Sequence, residues 1–191
     1  VKKSSVLLSA LMLSMPLIAD DTASLKKEGV GYIKMLAKAL KSELKSHMKN
    51  DLSGIEALAF CTGSAEEITK RVNEKLPPYA SVRRTALKVR NDKNNLPDKT
   101  DSEVMRSFQE MIDKKTLTDK TIKVVRTEEG ARIYKPLVTK KVCLKCHGAQ
   151  LSEKIAESLK SAYPHDKAVG FKEGDLRGVI VAEIKKSATE K

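Results

Sequence analysis

Thr121-Ile122-Lys123-Val124-Val125-Arg126-Thr127-Glu128-Glu129-Gly130-Ala131-Arg132-Ile133-Tyr134-Lys135-Pro136-Leu137-Val138 sets the fold class of this chain. Two strand-like runs, Thr121 to Arg126 and Arg132 to Val138, stand on either side of Glu128-Glu129-Gly130. Runs rich in β-branched and aromatic residues around a short glycine-containing turn read as an antiparallel hairpin.

Upstream, the pattern is helical. Ser24 to Lys49 carries Leu25, Ile33, Leu36, Ala37, Leu40 and Leu44 at helical spacing with lysines on the other faces, which predicts one long amphipathic helix. After Asp51-Leu52-Ser53-Gly54, the steps Leu58, Cys61, Ala65, Ile68, Val72 and Leu76 predict a second helix with Cys61 on its buried stripe, ended by Pro77-Pro78. Ser81 to Arg90 alternates and reads as a strand, and Asn91 to Asp98 as a loop. Asp101 to Lys115 returns to helical spacing through Val104, Phe108, Met111 and Ile112, with Asp101 or Ser102 expected as N-cap. Beyond the hairpin, Leu151 to Ser161 reads as a short helix, Tyr163 to Gly174 as a loop and Gly178 to Ile184 as a last strand. Helices first, then strands joined by hairpins and short helices, predict an α+β fold with an antiparallel sheet.

Directly after the hairpin, Cys143-Leu144-Lys145-Cys146-His147 spells C-x-x-C-H, the attachment signature of a covalently held haem. Two cysteines three apart on one turn present their sulfurs to two neighbouring vinyl groups of a porphyrin, and the histidine that follows is delivered to the iron as an axial ligand. With three Cys and three His in 191 residues, a chance spelling is improbable. A zinc site would need a fourth ligand and lacks the paired C-x-x-C knuckles that close such sites. A thioredoxin-like redox pair would need its first Cys at a helix N-terminus in a βαβ frame, whereas a lysine-rich strand precedes Cys143.

Val1 to Ala19 fits an exported protein. Val1-Lys2-Lys3-Ser4-Ser5 is a short basic region, and Val6 to Ala19 is an apolar run too short to span a bilayer comfortably and interrupted by Pro16. The expected organisation is a secretory signal over 1–19, one haem-carrying domain over 20–191, and a periplasmic location with no membrane span after cleavage. Thioether attachment is completed outside the cytoplasm, so motif and signal support one another.

Removing residues 1–19 takes away two lysines and no acid, lowering the formal charge from +12 to +10. The lysines are spread along the chain without interleaved aromatics or a nucleic-acid motif, which argues against nucleic-acid binding and for a surface suited to an acidic redox partner. Aromatics are scarce and Trp is absent, so a porphyrin would add apolar surface that the side chains do not supply.

Several segments together resemble one family, the haem-c-binding PAS-like domains: PAS-type sheets with a long N-terminal helical extension, found alone or as sensor modules. The matching stretches are Glu56-Ala57-Leu58-Ala59-Phe60-Cys61; Arg83 through Asn91 with Asn94 and Pro97-Asp98; Tyr134 and Pro136; the C-x-x-C-H; and Tyr163-Pro164, Asp166, Ala168, Gly170-Phe171 and Gly174 through Gly178. Ala86 stands where the family often shows Ser, and Asp92 where Pro commonly follows the Asn. The resemblance implies one haem c, held by Cys143 and Cys146, whose iron is bound by His147 on one side and Cys61 on the other.

Read from the residues alone, Cys61 is a stray thiol, a buried small hydrophobe or a metal ligand. His47, His165, Met48, Met105 and Met111 are the competing ligands, the methionines reading more simply as core. Arg83, Arg84 and Arg90 line a strand, and some of them are candidates to meet haem propionates or to lower the Cys61 pKa. Arg177 is expected to cap a turn or pair with Asp175. No second constellation places an acid or base beside an open metal position, so an enzyme is not expected. Electron transfer is the expected role, with redox or gas sensing through a partner protein as the alternative.

Overall fold

The computed structural model describes residues 17–50 and 53–185. Of the expected signal segment, residues 1–16 lie outside the described residues. Six helices and four strands follow in the order α1 (Leu17–Asn50), α2 (Ile55–Gly63), α3 (Ala65–Asn73), β1 (Ala80–Thr85), α4 (Lys99–Asp113), β2 (Lys123–Thr127), β3 (Gly130–Val138), α5 (Leu144–His147), α6 (Glu153–Ala162) and β4 (Leu176–Lys185). A single 3-10 turn, Lys141–Cys143, leads into α5.

The hairpin forms as its sequence dictates, with Lys123 opposite Tyr134 and Thr127 opposite Gly130. β4 then inserts between β3 and β1, giving a fully antiparallel sheet of order β1-β4-β3-β2. The α+β class is as expected.

Because successive strand residues face opposite sides, the sheet is covered twice. Val82, Ala131, Ile133, Ile180, Ala182 and Ile184 form one face and pack with Ile33 and Leu36 of α1 and Ile68 and Val72 of α3. The expected α1 stripe supplies Leu25, Ala37, Leu40 and Leu44 to the same core. On the other face Tyr134, Val179 and Val181 meet Val104, Met105 and Phe108 of α4. A third, smaller cluster joins Leu58 of α2 to Ile155 and Leu159 of α6. No described helix is long and apolar enough to cross a membrane.

Two elements differ in extent from the sequence reading by more than a few residues at an end. The second helix is two helices, broken at Ser64, whose N–H still bonds the Phe60 carbonyl at 2.8 Å. The break lets α2 reach toward α6 while α3 lies over β1, where the Asn73 amide bonds Val82 N–H and C=O at 2.7 and 2.8 Å. β1 stops at Thr85 rather than Arg90, because its pairing with β4 runs out at Thr85 opposite Val179.

The N-cap of α4 is Asp98, accepting from Asp101 N–H at 2.8 Å, while the Asp101 carboxylate returns to Asp98 N–H in a capping box. Asp101 is fully buried, because it also takes a bidentate bond from Arg83 (2.8 and 3.0 Å) and one from the Tyr134 hydroxyl (2.9 Å).

Candidate functional site

The C-x-x-C-H stretch leaves the sheet at the end of β3 and is pinned there by backbone bonds. Thr139 N–H donates to Asp175 C=O at 2.8 Å, and Gly174 N–H donates to Thr139 C=O at 2.9 Å. Cys143 closes the 3-10 turn onto Lys140 C=O at 2.8 Å, and α5 ends where Gly148 N–H reaches Leu144 C=O at 2.9 Å. A Cβ on Gly148 would sit 2.5 Å from the Leu144 oxygen, so only glycine closes the turn this tightly. The turn is then stitched to the loop before β4: Gly170 N–H donates to Gly148 C=O (3.0 Å) and Phe171 N–H to His147 C=O (2.9 Å).

This stitching fixes the His147 ring. Its Nδ1 lies 2.7 Å from the Ala168 carbonyl oxygen. A carbonyl only accepts, so Nδ1 carries the proton, and a neutral imidazole with its one N–H spent there keeps the Nε2 lone pair for a metal. The Phe171 ring stands at 89° to the imidazole, centroids 6.2 Å apart. Burial, then the positive charges of Arg177 and Arg90, push the His147 pKa down to about 3, so the ring stays neutral at ordinary pH.

Arg90 holds the pieces together. Its Nε donates to Asp166 at 2.9 Å, and its Nη2 donates to the carbonyls of Cys146 and Ala168. Asp166 in turn accepts from Ala168 N–H at 2.7 Å. The residue that orients His147 and the residue that precedes it therefore share one guanidinium.

The α1-side face of the sheet continues past its core into a cleft. Arg84 lies two residues beyond Val82, and Leu137 pairs with Gly178, two residues before Ile180, so all three lie on that face. With Arg90, Arg177 and His147 they line a cleft of about 530 Å³, its open mouth included. A Cβ on Gly178 would come within 2.4 Å of the Thr85 oxygen, which keeps this end of the sheet closed.

Cys61 sits half-buried on α2, packed against the larger core, with its carbonyl accepting from the Tyr163 hydroxyl at 3.4 Å. Burial raises its thiol pKa, and Arg84, Arg90 and Arg177 pull it back only in part. The Cys146 thiol is raised by burial and then by the charge of Cys61. All three cysteines are free.

The competing ligands go elsewhere. His165 is exposed and faces Asp92 at 3.2 Å. Met105 is buried, with Met111 against the same cluster, on the α4 face of the sheet. His47 stacks on Phe60, centroids 5.1 Å apart, and Met48 is half-buried near the end of α1. Among the described residues no three His, Cys, Asp or Glu side chains converge as a metal cluster.

Of the arginines singled out in sequence, Arg84 and Arg90 reach the cleft, whereas Arg83 turns to Asp101 on the other face. Arg177 does not pair with Asp175, which caps Lys172 N–H instead; its Nη1 donates to Lys88 C=O at 3.2 Å, and its guanidinium lies over Phe171. Sequence reading missed Asp166 and the Ala168 carbonyl as partners of the motif. Their position in a loop between two glycine-bounded turns was the available signal.

The donor set fits a haem: two thiols on one turn, an imidazole with a preset tautomer beside a cleft, and a third thiol among cations that favour its anion.

A family model described as Tll0287-like matches residues 22–184. The crystal structure of the cyanobacterial heme-protein Tll0287 superposes with a TM-score of 0.60 at 23% identity, covering 86% of this chain and 96% of that chain. At that identity the likeness concerns the fold. No curated protein matches.

Proposed function

Since the chain belongs to the Tll0287-like family, we propose that it is a haem-binding protein in which Cys143 and Cys146 would carry one haem c and His147 and Cys61 would bind its iron. The observation that carries this reading is the His147 Nδ1 bond to Ala168 C=O, which leaves the Nε2 lone pair available to a metal in a turn that also presents two free thiols. A structural neighbour known as a haem protein supports it.

Bound there, haem supplies a one-electron couple. The protein's part is to hold and tune it. Ala168 C=O, accepting from Nδ1, raises the basicity of His147 as a ligand, and the Arg90 clamp keeps that carbonyl in place. A Cys61 thiolate donates electron density, favours the ferric state and sets a low potential.

Electron transfer is the proposed role, in an exported, periplasmic protein whose basic surface meets an acidic redox partner. One observation favours sensing as a second reading: burial raises the Cys61 thiol, so Cys61 would be a ligand that could give way to a small gas. In that case the reduced protein binds CO or NO readily; refusal of both supports the carrier.

The test is Cys61→Ala in protein matured by a cytochrome c assembly system. Haem stays attached while the ferric absorption and EPR signatures change. Spectra identical to those of the unmodified protein would remove Cys61 from the iron.

A further inference from the structure

We infer that Arg84 and Arg177 form the receiving site for the two carboxylate arms of the cofactor, a role neither Arg83 nor Arg90 can fill. The inference rests on the haem reading above and adds which side chains hold the end of the group remote from the cysteines.

Elimination does much of the work. Arg83 points to the opposite face and spends its Nη2 on both oxygens of Asp101. Arg90 already has its counter-charge in Asp166 and is held by the carbonyls of Cys146 and Ala168. Arg84 lines the cleft, and among the described residues its guanidinium makes no hydrogen bond and no ion pair. Glu66, Cys61 and Tyr163 act on it only from beyond contact. Arg177 spends one N–H on Lys88 C=O and stacks on Phe171 at 5.4 Å, so most of its five donors are uncommitted.

Charge points the same way. Two guanidiniums share one cleft, and the carboxylate of Asp166 is already engaged by Arg90. Burial, with Arg90 and Arg84 adding repulsion, draws the Arg177 pKa down to about 10, as expected of a cation short of counter-charge. Planar guanidiniums match carboxylates two bonds at a time, and such pairs are strongest where water is scarce.

Porphyrin chemistry supplies the complement. The vinyl groups that take up cysteine lie on one edge of the ring and the two propionates on the edge away from them. Cys143 at the end of the 3-10 turn and Cys146 on α5, with arginines on β1 and β4, present the two matching chemistries from separate elements.

The test uses holoprotein carrying Arg84→Gln, Arg177→Gln, both together, or Arg84→Lys. Haem content and the Soret band stay as in the unmodified protein, while the propionate-bending bands in resonance Raman spectra shift in each Gln variant and most in the double. The midpoint potential falls in the same order, because lost positive charge favours ferric iron. Arg84→Lys restores most of the potential but not the band position, since it keeps the charge and loses the planar fork.

Unmoved bands and potential in the double variant, with haem attached, would overturn this assignment alone. Phosphate binding to the cofactor-free chain that is lost in the double variant, together with unmoved bands, would overturn it in favour of a free-anion site. An unmodified protein that carries no haem would overturn the function reading and this assignment with it.

Discussion

Replacing Asp166 by Ala strands the Arg90 guanidinium. Both side chains are 9% exposed, and among the described residues each has the other, at 2.9 Å, as its ion-pair partner. Breaking a buried pair from one side costs roughly 3–5 kcal/mol, because the remaining charge is left uncompensated. Two carbonyls still accept from Arg90 Nη2, which places the loss at the lower end, about 3 kcal/mol. Asp166 also ties down Ala168 N–H, so the carbonyl that orients His147 loosens in the same variant.

Against a total of about 5–15 kcal/mol, such a loss is large. Urea denaturation of the cofactor-free protein reads it directly: with a slope of about 2 kcal/mol per molar, the midpoint falls by about 1.5 M. Asp166→Asn, which can keep the Ala168 contact without the charge, falls between. A double variant, Arg90→Met with Asp166→Leu, recovers stability over Asp166→Ala, since a pair of apolar side chains leaves no buried charge. A midpoint for Asp166→Ala within roughly 0.3 M of the unmodified chain would refute the clamp.

Two more variants and one titration extend this. Gly178→Ala forces a Cβ against the Thr85 oxygen, and thermal melts show a loss of about 1–3 kcal/mol from overpacking; an unchanged melt would mean the sheet end is not tightly closed. Asp101→Ala leaves Arg83 and the Tyr134 hydroxyl without their shared acceptor and removes half a capping box, so it destabilises the α4 face more than Asp98→Ala does, as urea midpoints of the two compare. In the cofactor-free protein the folded His147 pKa is about 3 against an ordinary 6.5. Below 6.5 the unfolded chain binds a proton that the folded chain refuses, so stability is full above that pH and falls as pH drops toward 3, by up to ~1.4 kcal/mol per unit. His147→Leu flattens that slope by one proton, and an equal slope in both proteins would contradict the buried neutral ring.

What could be read in advance follows the range of the forces involved. The hairpin is written in local alternation, and the stripe from Leu25 to Leu44 in local helical spacing, so both form as read. Alternation also continues through Arg90, yet β1 ends at Thr85 opposite Val179, while β4 runs on to Leu176 against β3 alone, so strand length is set by pairing and not by the pattern. Helical spacing from Leu58 to Leu76 survives a break at Ser64, so periodicity alone gives no sign of the two axes.

The cap of α4 is Asp98 rather than Asp101 or Ser102, because Asp98 and Asp101 are both good caps. Arg83 and Tyr134, distant in sequence, decide which of them is buried. At the site, the C-x-x-C-H spacing is self-contained and legible. The Arg90 to Asp166 pair and the turn of Arg177 into the cleft depend on contacts some 76 and 89 residues apart, which no local pattern encodes.

Intact-mass spectrometry with absorption of protein exported and matured by a cytochrome c assembly system bears most directly on whether Cys143 and Cys146 carry the cofactor. The expected outcome is the mass of the polypeptide plus one haem, a Soret band, and haem that acidified organic solvent does not extract. Bare polypeptide without Soret absorption, or haem that the solvent removes, would contradict it.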